Sequence, residues 1–149
     1  MDGILRIDDR LIHGQVVVGW GNFIHPDEII LIDDDIAEDE MEREIYLLGV
    51  PVEYEGKIFN TEDGADYLNE CEKKFIAVVK SPKDVVKLMD NGLRLNSLNI
   101  GGMHDKVGKN EFNHYVYLSD EDRYYLDMLK SSLVEIYVQD LPGSKKVNY

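Results

Sequence analysis

Phe75-Ile76-Ala77-Val78-Val79-Lys80-Ser81-Pro82 is a run of consecutive apolar residues stopped by a serine–proline pair of the kind that starts helices. It is the clearest strand in the chain. Glu28 to Asp33 repeats the pattern around Ile29-Ile30-Leu31-Ile32, and a strand apolar at every position is one buried on both faces of a parallel sheet. Outward from these two runs, strands and helices alternate at short spacing. Gly3 to Ile7 reads as a partly buried strand, and Gln15 to Phe23 carries apolar residues at helical spacing. Glu38 to Leu48 reads as a helix and Lys57 to Asn60 as a short strand. Thr61 or Asn60 caps a helix to about Cys71, and Ser81-Pro82 starts one that ends at Asn91-Gly92.

Ser97 to Ile100 is a further short strand, from which Gly101-Gly102-Met103-His104 turns away. Asp105 to Asn113 is polar and without periodicity, a loop before a strand at Tyr115 to Leu118. Ser119 caps a helix through Ser132, with Asp120-Glu121-Asp122 where the helix dipole favours acids. Leu133 to Val138 closes the sheet, and the tail from Gln139 is expected to be loosely ordered. The expected fold is α/β: residues 1–149 as a single domain, a doubly wound, mostly parallel sheet with helices on both faces. The clustered Tyr115, Tyr117, Tyr124 and Tyr125 fit packing with wet hydroxyl ends better than a ligand box.

Composition sets the outer limits. At 149 residues and 44% apolar, the chain has enough for one core and lacks an apolar run long enough to span a membrane. Thirty acids against sixteen bases give a net charge of −14, with no basic stripe to attract nucleic acid. Met1-Asp2-Gly3 lacks the features of a secretory signal, and the one cysteine, Cys71, fits a reducing cytoplasm.

The chemistry concentrates at Arg6-Ile7-Asp8-Asp9-Arg10-Leu11-Ile12-His13-Gly14-Gln15-Val16, between the first strand and the first helix. His13 stands just ahead of that helix, where free N–H groups and the positive end of the dipole favour an anion. Arg10 offers a planar fork of donors that keeps its charge. An imidazole with a reference pKa of about 6.5 is largely neutral and nucleophilic near neutral pH, so a ring nitrogen can attack phosphorus. Phosphoryl transfer asks the protein mainly for alignment and charge stabilisation, and needs no metal or cofactor if Arg10 and helix amides meet the equatorial oxygens. Asp8 or Asp9 is placed to orient the imidazole, and the two arginines would make a positive spot on an acidic body.

Each residue also has a plainer reading. His13 alone would be a solvated loop histidine; Arg6 divides between phosphate contact and a strand role paired with Asp8; Asp8-Asp9 equally makes a turn or helix cap. A metal site built from Asp8, Asp9, His13 and Asp33-Asp34-Asp35 is the rival chemistry. It lacks any ligand spacing of a known kind, and Arg6 and Arg10 oppose a cation there. Ligands in open α/β sheets sit beyond the carboxyl ends of strands at the switch point, so Ser81 joins the pocket if the first strand and the Phe75 strand are neighbours across it. His104 is either a residue of the docking surface or an exposed loop histidine.

The unbroken stretch Arg6 to Val16, followed by Trp20, resembles the signature of the IIB component of the mannose/fructose/sorbose class of the bacterial phosphoenolpyruvate-dependent sugar phosphotransferase system. Val79-Lys80-Ser81-Pro82, Asn99-Ile100-Gly101-Gly102-Met103 and Ser119-Asp120-Glu121-Asp122 are similar to further landmarks in the family order. The resemblance implies a phosphocarrier that accepts a phosphoryl group from a phosphohistidine on a IIA protein or domain. It passes the group to a sugar held by membrane-embedded IIC/IID subunits. Carried over, the phosphoacceptor falls on His13, with Arg10 nearest the phosphate and Arg6, Asp8, Asp9, Gly14 and Gln15 shaping the loop. The resemblance also implies a cytoplasmic location, peripheral to the membrane through partners, no cofactor, and in many members a homo-oligomer. Two rivals remain: a regulatory phosphocarrier of an incomplete system that controls a partner protein without sugar transport, and a non-catalytic anion-binding module. The second is disfavoured by the absence of a glycine-rich phosphate loop at the first corner.

Overall fold

The two all-apolar runs become β2 (Glu28–Ile32) and β4 (Phe75–Val79), buried at every position. The computed structural model describes residues 2–149 except for the side chain of Gln15, so the loop role expected of Gln15 lies outside the described residues. β4 sits between β2 and β1 (Gly3–Asp8), and β1 in turn pairs with β5 (Ser97–Gly102). The full order is β3-β2-β4-β1-β5-β8-β9, with β3 (Glu55–Phe59), β8 (Glu135–Val138) and β9 (Val147–Asn148) completing seven strands. Every pairing in this sheet is parallel except β8 with β9. β6 (Asn110–Asn113) and β7 (Val116–Leu118) form a separate antiparallel hairpin.

The period-two alternation of each central strand divides the core. Ile29, Leu31, Ile76 and Val78 point to one face and pack against Val16, Val17 and Trp20 of α1 (Gly14–Ile24) and Ile36 of α2 (Asp34–Glu38). Tyr46 of α3 (Glu40–Leu48) joins that cluster half-buried. Ile30, Ile32, Phe75, Ala77 and Val79 point to the other face. There they meet Ala65 and Leu68 of α4 (Thr61–Glu70), Val85 and Leu88 of α5 (Pro82–Asp90), and Leu126 and Leu129 of α6 (Asp120–Ser131). The chain runs outward from β1 to β2 and β3 on the α1 face and returns through β4, β5 and β8 on the α4–α6 face. The expected α/β doubly wound fold is therefore the one formed.

Three local expectations are corrected. The helix read over Glu38 to Leu48 forms as α3 but starts later, at Glu40, and a short helix unforeseen in the sequence, α2, precedes it: Asp39 leaves helical geometry between them, and its carboxylate accepts from the amides of Met41 and Glu42 to start α3. The loop read over Asp105 to Asn113 carries β6: Asn113 accepts from the amides of Tyr115 and Val116 and turns the chain into β7. The tail from Gln139 is not loose. The Gln139 side-chain amide donates to the carbonyls of Pro142 and Ser144, β9 pairs with β8, and the Tyr149 hydroxyl donates to Asp127.

Candidate functional site

The corner between β1 and α1 opens where β1 meets β5. From this adjacent pair the chain leaves in opposite directions, toward β2 on one side and β8 on the other, which defines the crevice of an open α/β sheet. The register of β1 against β5 breaks between Ile7 and Asp8, bringing Asp8 opposite Gly102. The Asp9 amide then donates to the Gly102 carbonyl, the Leu11 amide to the Asp8 carbonyl, and Leu11 takes a left-handed backbone at φ 59°.

Asp8, fully buried, organises the corner. Its carboxylate accepts from the Arg10 amide at 3.1 Å, Arg10 Nε at 2.9 Å, Arg10 Nη2 at 2.8 Å and Arg6 Nη2 at 3.1 Å. Arg6, also fully buried, donates through Nη1 to Asn99 Oδ1 at 2.6 Å and to the Gln139 carbonyl at 3.1 Å. Its guanidinium lies over the Trp20 ring, 5.4 Å from the centroid, while Trp20 Nε1 donates to the Asp140 carbonyl at 2.8 Å. The Asp140 carboxylate stands 3.7 Å from Arg6 and 3.6 Å from Arg10. Burial pulls the Arg6 pKa down against the opposing pull of Asp8, and the hydrogen bond to Asp8 pushes that of Arg10 up. Two guanidiniums are thus balanced by two carboxylates, so the positive spot expected from the arginines is largely neutralised within the fold.

Among the expected residues, Arg6 is a structural cation, enclosed and remote from solvent, while Arg10 remains 28% exposed at the rim. Neither aspartate orients His13. Asp8 is committed to the arginines, and Asp9 accepts from the His104 amide at 2.8 Å and faces His104 Nδ1 at 2.6 Å. His104 thereby joins the corner and lines a cavity of about 330 Å³ with Arg10, His114, Tyr117 and Asp140. Ser81 does not join it. β4 and β1 are neighbours, but β4 leads into α5 on the opposite face of the sheet, where Ser81 Oγ donates to Asp84 and caps that helix.

Asp140 went unread in the sequence, Asn99 stood there only as a landmark and Tyr117 only as a packing residue, because all three lie far from the corner in the chain. The glycine pair offered a signal: a β-carbon on Gly101 would overlap the Arg6 guanidinium, so only glycine leaves that space open. Gly101→Ala should displace Arg6 and cost about 1–3 kcal/mol, as overpacking does, read as a lowered urea midpoint at unchanged slope. Asp33 and Asp34 of the rival metal reading are engaged elsewhere. Asp33 caps α2 and pairs with Lys80, and Asp34 accepts from Thr61 and Lys87.

His13 is the N-cap residue of α1, exposed, with extended backbone. Among the described residues the other five helices each have a side-chain cap and at least one acid in the first turn, and α1 has neither. A β-carbon on Gly14 would meet nothing within 4 Å, so space is open over the start of the helix.

Comparison with known proteins agrees over the whole length. The family model described as the PTS system sorbose subfamily IIB component matches residues 3–149. The chain is 32% identical over 148 residues to the N-acetylgalactosamine-specific phosphotransferase enzyme IIB component 1 of Escherichia coli K12, covering 96% of this chain and 92% of that one. It is 28% identical to the mannose-specific EIIAB component of the same strain, covering 97% of this chain and 46% of that longer protein. The crystal structure of the N-acetylgalactosamine-specific IIB component 1 from Escherichia coli superimposes with a TM-score of 0.91 at 29% identity, covering 99% of both chains.

Fold and relatives together define a IIB phosphocarrier of a sugar phosphotransferase system, with phosphotransferase activity through a phosphohistidine. The chain belongs to the sorbose subfamily of IIB components. Membership implies a IIA donor and IIC/IID membrane subunits as partners. Among the described residues no helix is long and apolar enough to cross a membrane.

Proposed function

We propose that His13 carries the phosphoryl group and that Arg10 stabilises it. The observation that carries this reading is the contrast at helix starts: among the described residues α1 alone has neither an acidic first turn nor a side-chain cap, and His13 is the residue at its N-cap. The positive end of the α1 dipole and its free first-turn amides are left for an exogenous anion. A ring nitrogen of His13 attacks the phosphorus of phospho-IIA; the new P–N bond forms as the old one breaks, and the IIA imidazole leaves. In the second half-reaction a sugar hydroxyl oxygen forms the P–O bond, the His13 P–N bond breaks, and the hydroxyl proton is released. Arg10, held rigid by Asp8 on two of its nitrogens, offers preorganised N–H donors to the phosphoryl oxygens. The protein works at the cytoplasmic face of the membrane through IIC/IID. Relatives named for N-acetylgalactosamine, fructose and mannose match at 32%, 26% and 28% identity, which supports placing sugar choice in the membrane subunits.

Intact-mass analysis after mixing with phosphoenolpyruvate, the two general phosphotransferase proteins and a cognate IIA should show one acid-labile phosphoryl group. Arg10→Ala should still reach full occupancy but about 100-fold more slowly, the usual scale for losing one preorganised charge-stabilising donor. An unchanged rate in that variant would remove Arg10 from the mechanism.

A further inference from the structure

α3 buries none of its residues, yet it carries an apolar stripe. Met41, Ile45 and Leu48 recur at helical spacing on one side and are 71%, 60% and 85% exposed, and Val52 beyond the helix end is fully exposed. Three large aliphatic side chains aligned on one exposed helix face mark a contact surface more than random scatter does. The stripe also leads to the reacting corner. Tyr46 and Val50 pack in the same cluster as Ile12, one residue before His13, and a β-carbon on Gly49 would meet the Ile12 side chain.

Charge identifies what covers it. Glu38, Asp39, Glu40, Glu42 and Glu44 are exposed around the stripe, with Arg43 as the only base between Asp33 and Leu48. A second copy of this chain would set these acids against their own equivalents, and an anionic lipid surface would repel them. Cytoplasmic loops of membrane proteins, by contrast, carry an excess of lysine and arginine. We propose that the α3 face docks on basic, apolar-centred cytoplasmic loops of the membrane-embedded sugar subunits and so delivers the corner to the sugar. The proposal rests on the reading of His13 as the phosphoryl donor.

The test is co-sedimentation of the unphosphorylated protein with membrane vesicles, cytoplasmic side outward, that contain or lack the cognate IIC and IID. Wild type should pellet only with vesicles that hold the subunits, and less as salt screens the acids. Ile45→Ser/Leu48→Ser and Glu40→Lys/Glu44→Lys, all at exposed positions, should each weaken that binding about tenfold, the effect of truncating a contact worth a little over 1 kcal/mol. Both should still be phosphorylated by phospho-IIA within about twofold of the wild-type rate, as surface changes away from the site leave it intact. Unchanged binding by both variants, an equal loss in the IIA reaction, or a wild-type dimer that the variants dissociate would each overturn the proposal. Because binding is read without phosphate, a failure to phosphorylate His13 counts against the acceptor assignment alone.

Discussion

His13→Ala is expected to abolish phosphoryl incorporation while leaving the fold intact. The side chain is exposed and caps nothing, so its loss removes a nucleophile and no structural contact. Unfolding free energy should change by less than about 0.5 kcal/mol, the range of surface substitutions away from structural features. The phosphoryl gain should fall from one group to none, since no neighbour can replace an imidazole at the start of α1. His104 is the obvious competitor, being in the same crevice, but its Nδ1 is engaged by Asp9 and it stands at the end of β5. Intact-mass analysis beside a urea titration decides the matter: full phosphorylation of the variant would sink the assignment, and a collapsed titration would show that His13 holds the fold.

Asp8→Ala is expected to do the reverse, crippling the fold before the chemistry. It leaves the wholly buried Arg6 with Asn99, the Gln139 carbonyl, the face of Trp20 and the longer 3.7 Å approach of Asp140. Removing one partner of a buried ion pair typically costs about 3–5 kcal/mol, because the remaining charge is stranded out of water. That is a large part of the roughly 5–15 kcal/mol by which a domain is stable. Asp8→Asn, which keeps the shape and one acceptor oxygen, should fall between wild type and Ala. A loss below about 1 kcal/mol for the alanine variant would place Asp8 among ordinary surface ion pairs and contradict its burial.

The contrast between these variants shows why one compact signature contains two kinds of residue. Arg6 and Asp8 stand two apart on a strand and are both internal, whereas Arg10 lies at the rim and His13 is exposed. Spacing alone left Arg6 divided between phosphate contact and structure. In the fold Arg6 is buried under Trp20 and hydrogen-bonded to Asn99 and Gln139.

Local pattern was legible wherever a physical rule acts over a few residues. The all-apolar runs at Ile29–Ile32 and Phe75–Val79, the cap at Ser81 and the cap at Ser119 each stand where the sequence places them. The break at Asp39 escaped because a single aspartate cap ends one helix and starts the next without a proline or glycine to mark it.

By itself the sequence determined most of the elements, their α/β alternation, the concentration of charged residues and His13 ahead of α1, and the family, since apolar periodicity, caps and a contiguous signature are properties of neighbouring residues. The tertiary structure alone decided strand order, and with it that the crevice opens between β1 and β5, that Ser81 falls on the opposite face, and that the tail returns Asp140 to the arginines. Arg6 to Asn99, Asp9 to His104 and Trp20 to Asp140 are separated by 93, 95 and 120 residues. Contacts at such separations depend on which strands become neighbours, and periodicity within a strand carries no record of that choice.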